Sequence, residues 1–170
     1  SYIMTGNPAT SLLVSAYQKG IMNKTSPKVA FEIMNKNHKP GGMMGDTPEE
    51  LQFYIDNGYC PGNAGKTLEW SFQDWSLAQM AKKMGKLKEY NYYNNRANNW
   101  TNLYRSEKGL IFPKDENGEW LHDDPLSMRG WVESNSWQGS WQVSHDIPTL
   151  SRLMSGNDSL AFKLNYAFEK

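Results

Sequence analysis

Apolar residues in the first two-thirds of the chain recur at helical spacing, punctuated by Gly and Pro. Over 8–19, Leu12, Leu13, Ala16 and Tyr17 form an i, i+1, i+4, i+5 stripe that stops at Gly20. Over 27–36, Val29, Ala30, Ile33 and Met34 repeat it, with Ser26 as N-cap and Pro27 in the first helical position. Thr47-Pro48-Glu49-Glu50 reads as a capping box. It opens a short helix that turns Leu51, Tyr54 and Ile55 inward and closes at Gly58. Segment 67–84 has the strongest pattern. Leu68, Phe72, Trp75 and Ala78 share one face, and Trp70, Leu77, Ala81 and Met84 lie nearly opposite. A helix apolar on two sides is sandwiched between neighbours. Tyr90, Tyr93, Ala97, Trp100 and Tyr104 then predict one long helix over 87–104.

From Arg105 to His145 the helical period fails. Asn117-Gly118 predicts a hairpin between 110–112 and 120–121. A connection this long is usually functional. Two helices follow, over 147–154 and 158–169, with Asp146 capping the first. Paired helices joined by long loops predict an all-α fold. Periodicity does not choose between an α/α toroid and a helical repeat.

Charge narrows the function classes. The 170 residues carry 18 Lys and Arg against 18 Asp and Glu, so nothing here builds the positive field that favours nucleic acid or an anionic membrane. No apolar run spans a bilayer, and the first residues do not read as a signal peptide. A single cysteine, Cys60, makes no intramolecular disulfide. Seven Trp and nine Tyr are the compositional signal, because a flat apolar ring with a polar edge suits the face and rim of a sugar. A Trp-rich core explains them equally well.

No metal-ligand spacing, nucleophile elbow or phosphate loop occurs. Carboxylates remain. Trp120, Trp131, Trp137 and Trp141 gather in one stretch, with Glu133 inside Trp131-Val132-Glu133-Ser134-Asn135-Ser136-Trp137. A carboxyl desolvated by indoles resists ionisation, and a protonated carboxyl serves a leaving glycosidic oxygen. The alternative is a loop anchored by its own hydrogen bonds.

Several strings, in order, resemble glycoside hydrolase family 92. They include Met4-Thr5-Gly6-Asn7-Pro8-Ala9, Thr67-Leu68-Glu69-Trp70-Ser71-Phe72-Gln73-Asp74-Trp75, Arg96-Ala97-Asn98-Asn99-Trp100, Glu133-Ser134-Asn135-Ser136-Trp137-Gln138 and His145-Asp146-Ile147. Each is weak alone; the order and spacing are specific. The resemblance implies part of an (α/α)6 toroid with long loops at the active-site end, without the family's N-terminal β-sandwich and the C-terminal part of the toroid. It implies an exo-acting α-mannosidase, with α-1,2 linkage expected, that removes terminal mannose from N-glycans or mannans with inversion. Glu133 then falls at the general acid. Trp137 and Gln138 shape or orient it, and Glu69 and Asn7 reach the toroid's mouth or serve as caps and anchors. The family's calcium ion and general base are implied to be held outside this chain. Ser15 and Gln73 stand where acidic residues are expected, and Gly139 where an aromatic is. Family habit implies a secreted or periplasmic protein. A fragment of this kind is expected to be inactive alone. Helices such as 67–84 would lose neighbours, which predicts self-association or ordering only within a longer chain. A helical carbohydrate-binding module and a helical protein-interaction scaffold are the rival readings.

Overall fold

The structure, a computed structural model, describes residues 8–169. Helices dominate: α1 (Pro8–Gln18), α2 (Pro27–Asn37), α3 (Pro48–Asn57), α4 (Ala64–Lys83) and α5 (Leu87–Arg96) come first. A 3-10 turn over Asn99–Leu103 leads to a two-stranded antiparallel ribbon, β1 (Tyr104–Arg105) with β2 (Leu110–Ile111). The chain ends with α6 (Ser136–Gly139), α7 (Ile147–Leu153) and α8 (Asn157–Glu169).

The helix boundaries follow local chemistry. Thr47 Oγ1 accepts from the Glu50 amide at 3.2 Å, while the Glu50 carboxylate accepts from the Asp46 amide, one residue outside the predicted box. Gly58, at φ 76°, takes the left-handed conformation that stops α3. Asn63 caps α4 through the Lys66 amide, and Asp146 caps α7 through the Thr149 amide. Ser26 precedes α2 in extended conformation without a side-chain cap bond.

The predicted helix over 87–104 breaks at Arg96. Asn98 Nδ2 donates to the Asn94 carbonyl and Thr101 Oγ1 to the Asn98 carbonyl, so side chains compete with the helix ladder. The tighter turn that follows puts Trp100 and Leu103, three apart, on one line, and both are fully buried. The predicted hairpin also shifts. A Lys114–Trp120 bridge frames Asn117-Gly118, but Leu110–Ile111 pairs with Tyr104–Arg105.

Helix α4 is the hub. Thr10 on α1 and Asp74 midway along α4 share His38, while Gln18 and Lys83 meet at the helices' far ends, so α1 and α4 run the same way. Arg96 meets Asp74 and Asn102 meets Gly58, so α5 and the 3-10 turn run back towards the start of α4. Two apolar clusters hold this arrangement. One joins Val14, Phe31, Met34, Leu77, Met80 and Tyr93; the other joins Leu68, Trp100, Leu103, Ile111, Trp131 and Leu150. Each such fully buried aliphatic or Phe side chain contributes about 1.5–3 kcal/mol.

Several faces differ from the periodicity. On α4, Leu68 and Ala78 are buried, but Phe72 and Trp75 join Gly65, Glu69 and Gln79 in a half-exposed stripe. Polar Thr67, Ser71 and Asp74 are buried instead. On α2 the inward face is Ala30, Phe31 and Met34; Val29 and Ile33 are exposed. Exposed apolar side chains lie on α1, α2 and α8, with Leu12 at 71% and Phe168 at 85%, rather than on α4. Those flanks are where this unit needs cover.

Candidate active site

The turn around Glu133 is braced from behind. The Ala64 amide donates to the Gly130 carbonyl, tying the loop to the first turn of α4. Trp131 is buried, packs in the core and donates from Nε1 to Ser136 Oγ at 3.3 Å. Ser140 Oγ accepts from the Ile111 amide and donates to the Ser136 carbonyl, so α6 is fastened to β2. Asn135 Oδ1 accepts from the Gln138 amide at 2.9 Å and caps α6. The Trp137 amide donates to the Pro125 carbonyl.

Glu133 sits at the apex with φ 51°, a left-handed conformation that costs a side-chain-bearing residue about 1–2 kcal/mol. Its side chain is exposed, and no hydrogen bond or ion pair reaches its carboxylate among the described residues. The sequence reading had indoles desolvating this group; in this chain they do not cover it. The four Trp residues split. Trp131 faces the core, Trp120 lies under Arg105 and Lys114, and Trp137 meets Trp141 and Tyr166 edge-on at 6.1 and 5.7 Å. Trp137 therefore joins the turn to α8. Gln138 is exposed and meets the turn through its backbone amide.

Glu69 lies on the half-exposed stripe of α4, about one and a half turns past Ala64, where the Gly130 tether is made. Partial burial pushes its carboxyl above the ordinary range, and the nearby Gln73 side chain tempers the shift. Gln73 is itself buried, with neither end of its amide in hydrogen-bonding geometry to a partner. Among the described residues no hydrogen bond joins Glu69 to the Glu133 turn. Asn7 lies outside the described residues.

Gly139 has a local explanation. A Cβ there would collide with the Trp131 indole, which occupies that space. His122 bonds the Arg129 carbonyl, Asp123 pairs with Arg105 and Asp124 holds the Leu126 amide, so this acidic stretch is a braced loop. Cys60 is buried, and burial pushes its thiol well above the usual range, which rules it out as a nucleophile.

The periodicity missed a buried polar network. His38 Nδ1 contacts Asp74 Oδ1 at 2.9 Å, and Arg96 Nε donates to Asp74 Oδ2 at 2.8 Å. Tyr54 donates to the same carboxylate, and Thr10 Oγ1 meets His38 Nε2 at 3.1 Å. Burial alone would lower the Arg96 guanidinium; Asp74, together with Tyr54 and Tyr92, outweighs it and holds the group above its ordinary value. Thr10, His38 and Asp74 are ordered like a hydrolytic triad, but all three are fully buried, so no substrate reaches them. They fasten α1, α2 and α4 together.

Comparison with known proteins places this architecture. All of residues 1–170 match the glycosyl hydrolase family 92 catalytic domain. A family GH92 inverting mannosidase from Bacteroides thetaiotaomicron superposes with a TM-score of 0.88 and 31% identity over 97% of this chain and 24% of its own. A second family GH92 α-mannosidase from that organism gives 0.85 and 26% over 96% of this chain and 22% of its own. In complex with mannoimidazole the latter gives 0.83. An uncharacterized secreted glycosidase of Arthroderma benhamiae is 24% identical over 97% of this chain and 26% of its own length. The chain thus spans about a quarter of the length of these relatives. Its helices form part of an (α/α)6 toroid, and the chain belongs to glycosyl hydrolase family 92, within the catalytic domain.

Proposed function

We propose that this chain is the acid-bearing part of an exo-α-mannosidase that removes terminal mannose from N-glycans or mannans with inversion, acting on α-1,2 linkages. The observation that carries the reading is Glu133. It is an exposed, unpartnered carboxylate held in a left-handed turn by buried Trp131 and the Asn135 cap. Non-glycine residues in such conformations cluster at functional sites. A carboxyl presented on a rigid turn is placed to reach a glycosidic oxygen, as a general acid must. In inversion a second carboxylate, roughly 6.5–9.5 Å away, activates water on the opposite face of the sugar.

Two relatives named as mannosidases, one inverting and one in complex with mannoimidazole, support the substrate class. The relative named a secreted glycosidase supports an extracytoplasmic location. No described helix is long and apolar enough to cross a membrane. The family's calcium ion does not fit the described residues, which contain no group of three or more His, Cys, Asp or Glu able to hold a metal.

The test is Glu133→Gln in the full-length polypeptide, assayed on aryl α-mannosides of graded leaving ability. Removing a general acid costs about 10²–10⁴-fold on a poor leaving group and much less on a good one. Equal loss on both would make Glu133 a structural residue. No loss on either would return the Trp-rich surface to a binding role.

A further inference from the structure

Between α4, α5 and the start of α7 lies a concavity of about 220 Å³. Trp75 forms one wall, its ring stacked on Phe72 at 6.0 Å and 18°. Around it stand Asn94, Asn98, His145, Asp146 and Thr149. None of these belongs to the Glu133 turn.

The polar groups have unspent capacity. His145 Nε2 lies 3.1 Å from the Ala97 carbonyl, which only accepts, so that nitrogen carries the proton. Burial works against a second proton and pushes the ring's pKa down. Nδ1 is then a bare acceptor, buried and without a protein partner among the described residues. Asp146 spends Oδ1 on the Thr149 amide and keeps Oδ2. Asn98 spends its Nδ2 on the Asn94 carbonyl and keeps Oδ1. The Asn94 side chain is uncommitted among the described residues.

This combination selects a ligand class. No Lys or Arg lines the cavity, and Asp146 adds negative charge, so an anion is repelled. A purely apolar ligand would strand the Asp146 carboxylate and the uncommitted amide groups of Asn94 and Asn98, a cost of about 1–3 kcal/mol for each neutral group and more for a charged one. The complement is a neutral molecule with several hydroxyl donors around one apolar face. The volume is below the roughly 300–1,000 Å³ of drug-sized sites, which admits one small ring. We propose that the cavity formed by Trp75, Asn94, Asn98, His145, Asp146 and Thr149 binds a single pyranose ring of a neutral sugar, apart from the site of hydrolysis. The inference rests on the lining chemistry and does not depend on Glu133 being an acid.

The experiment titrates methyl α-mannoside into the full-length protein, wild-type and with Asn98→Ala or Asn94→Ala, and follows calorimetric binding beside aryl α-mannoside hydrolysis. Both variants trim side chains at the end of α5 and leave the buried core untouched. The expected result is two classes of sites in the wild type, with one class weakened about five- to tenfold in each variant, the equivalent of one lost hydrogen bond. Hydrolysis of the aryl mannoside stays unchanged. Binding that is indifferent to both variants overturns the proposal. So does hydrolysis that falls in step with binding, because the cavity would then belong to the reaction centre. Displacement of the sugar by equimolar ammonium chloride would make it a cation site and overturn it as well. If the protein releases no mannose but binding remains sensitive to Asn98, the sugar site stands and the hydrolytic reading fails.

Discussion

Asp74→Asn tests how much of this unit depends on one buried carboxylate. Asp74 is fully buried, and it accepts from Arg96 at 2.8 Å, contacts His38 at 2.9 Å and accepts from Tyr54 at 3.3 Å. At an effective dielectric of about 20, unit charges at such a distance attract by about 6 kcal/mol, an upper frame for the pair. The net loss is smaller, because desolvation already offsets part of the attraction in the wild type. Breaking a buried pair by removing one partner costs about 3–5 kcal/mol, most of it from the charge left behind. The carboxamide also places an N–H donor either against Arg96, which can only donate, or against His38, which must change tautomer to accept. Native-state hydrogen exchange on the α4 amides of the full-length protein reads this locally, without requiring the whole molecule to unfold in one step. Opening free energies around residues 74–81 should fall by about 3–5 kcal/mol. Asp74→Asn with Arg96→Met removes the stranded charge and should recover a large part of that loss. A single-variant cost under about 1 kcal/mol, or a double variant as damaging as the sum of the singles, would refute the reasoning, since groups in one network are expected to couple.

Gly139→Ala should cost about 1–3 kcal/mol by overpacking, and pairing it with Trp131→Phe should recover part of the loss in thermal melts, because the shorter ring vacates the collision. Asn135→Ala removes the α6 cap at a cost of about 1 kcal/mol; on the acid reading it lowers kcat for substrates with poor leaving groups more than for good ones. Burial raises the Glu69 carboxyl in the folded state, so the native form binds its proton more tightly than the unfolded chain. The stability this contributes is present below the ordinary carboxylate range and is lost as pH rises through the raised value. Glu69→Gln should therefore raise the melting temperature relative to wild type near pH 7 and lose that advantage in acid; an equal difference at both would count against the shift. Glu133→Gly abolishes the carboxyl but accepts φ 51° freely, so it should gain about 1 kcal/mol of stability where Glu133→Gln gains none.

What the sequence made legible is governed by local chemistry. Pro27, Thr47, Gly58 and Asp146 act within a turn of themselves, and the helix ends they imply are where the structure has them, whereas the helix expected from 67 begins at Ala64, capped by Asn63. Facing is decided by neighbours distant in the chain. Val29 and Ile33 fit a stripe as well as Phe31 and Met34 do, and the approach of α4 selects the second pair. The Asp74 network was invisible for the same reason. The side-chain bonds that meet at His38 and Asp74 join residues 20 or more apart, and a buried Asp in an apolar pattern reads as a break until its cation arrives. One signal was available: Ser71 and Asp74, a turn apart on a helix otherwise apolar on two sides, mark a third, polar face that also needs partners.

At the candidate site the sequence placed Glu133 in a loop among Trp residues but misread what surrounds it. A cluster of Trp codes suggested that indoles surround Glu133, yet successive side chains around a tight turn diverge. Trp131 goes to the core because its Nε1 finds Ser136 and its ring finds the space that Gly139 leaves. Trp137 goes the other way, to Trp141 and Tyr166. Glu133, between them in sequence, is left at the apex with a positive φ. The same packing that empties its surroundings of indole also fixes its backbone. A carboxylate held this way, exposed and without a hydrogen-bond partner among the described residues, has its surroundings completed by groups outside this unit rather than by the neighbouring Trp residues. Trp137→Phe in the full-length protein should therefore cost less than Glu133→Gln on an aryl α-mannoside with a poor leaving group. A loss as large as that of Glu133→Gln would restore the indole to the role that its place in the sequence suggested.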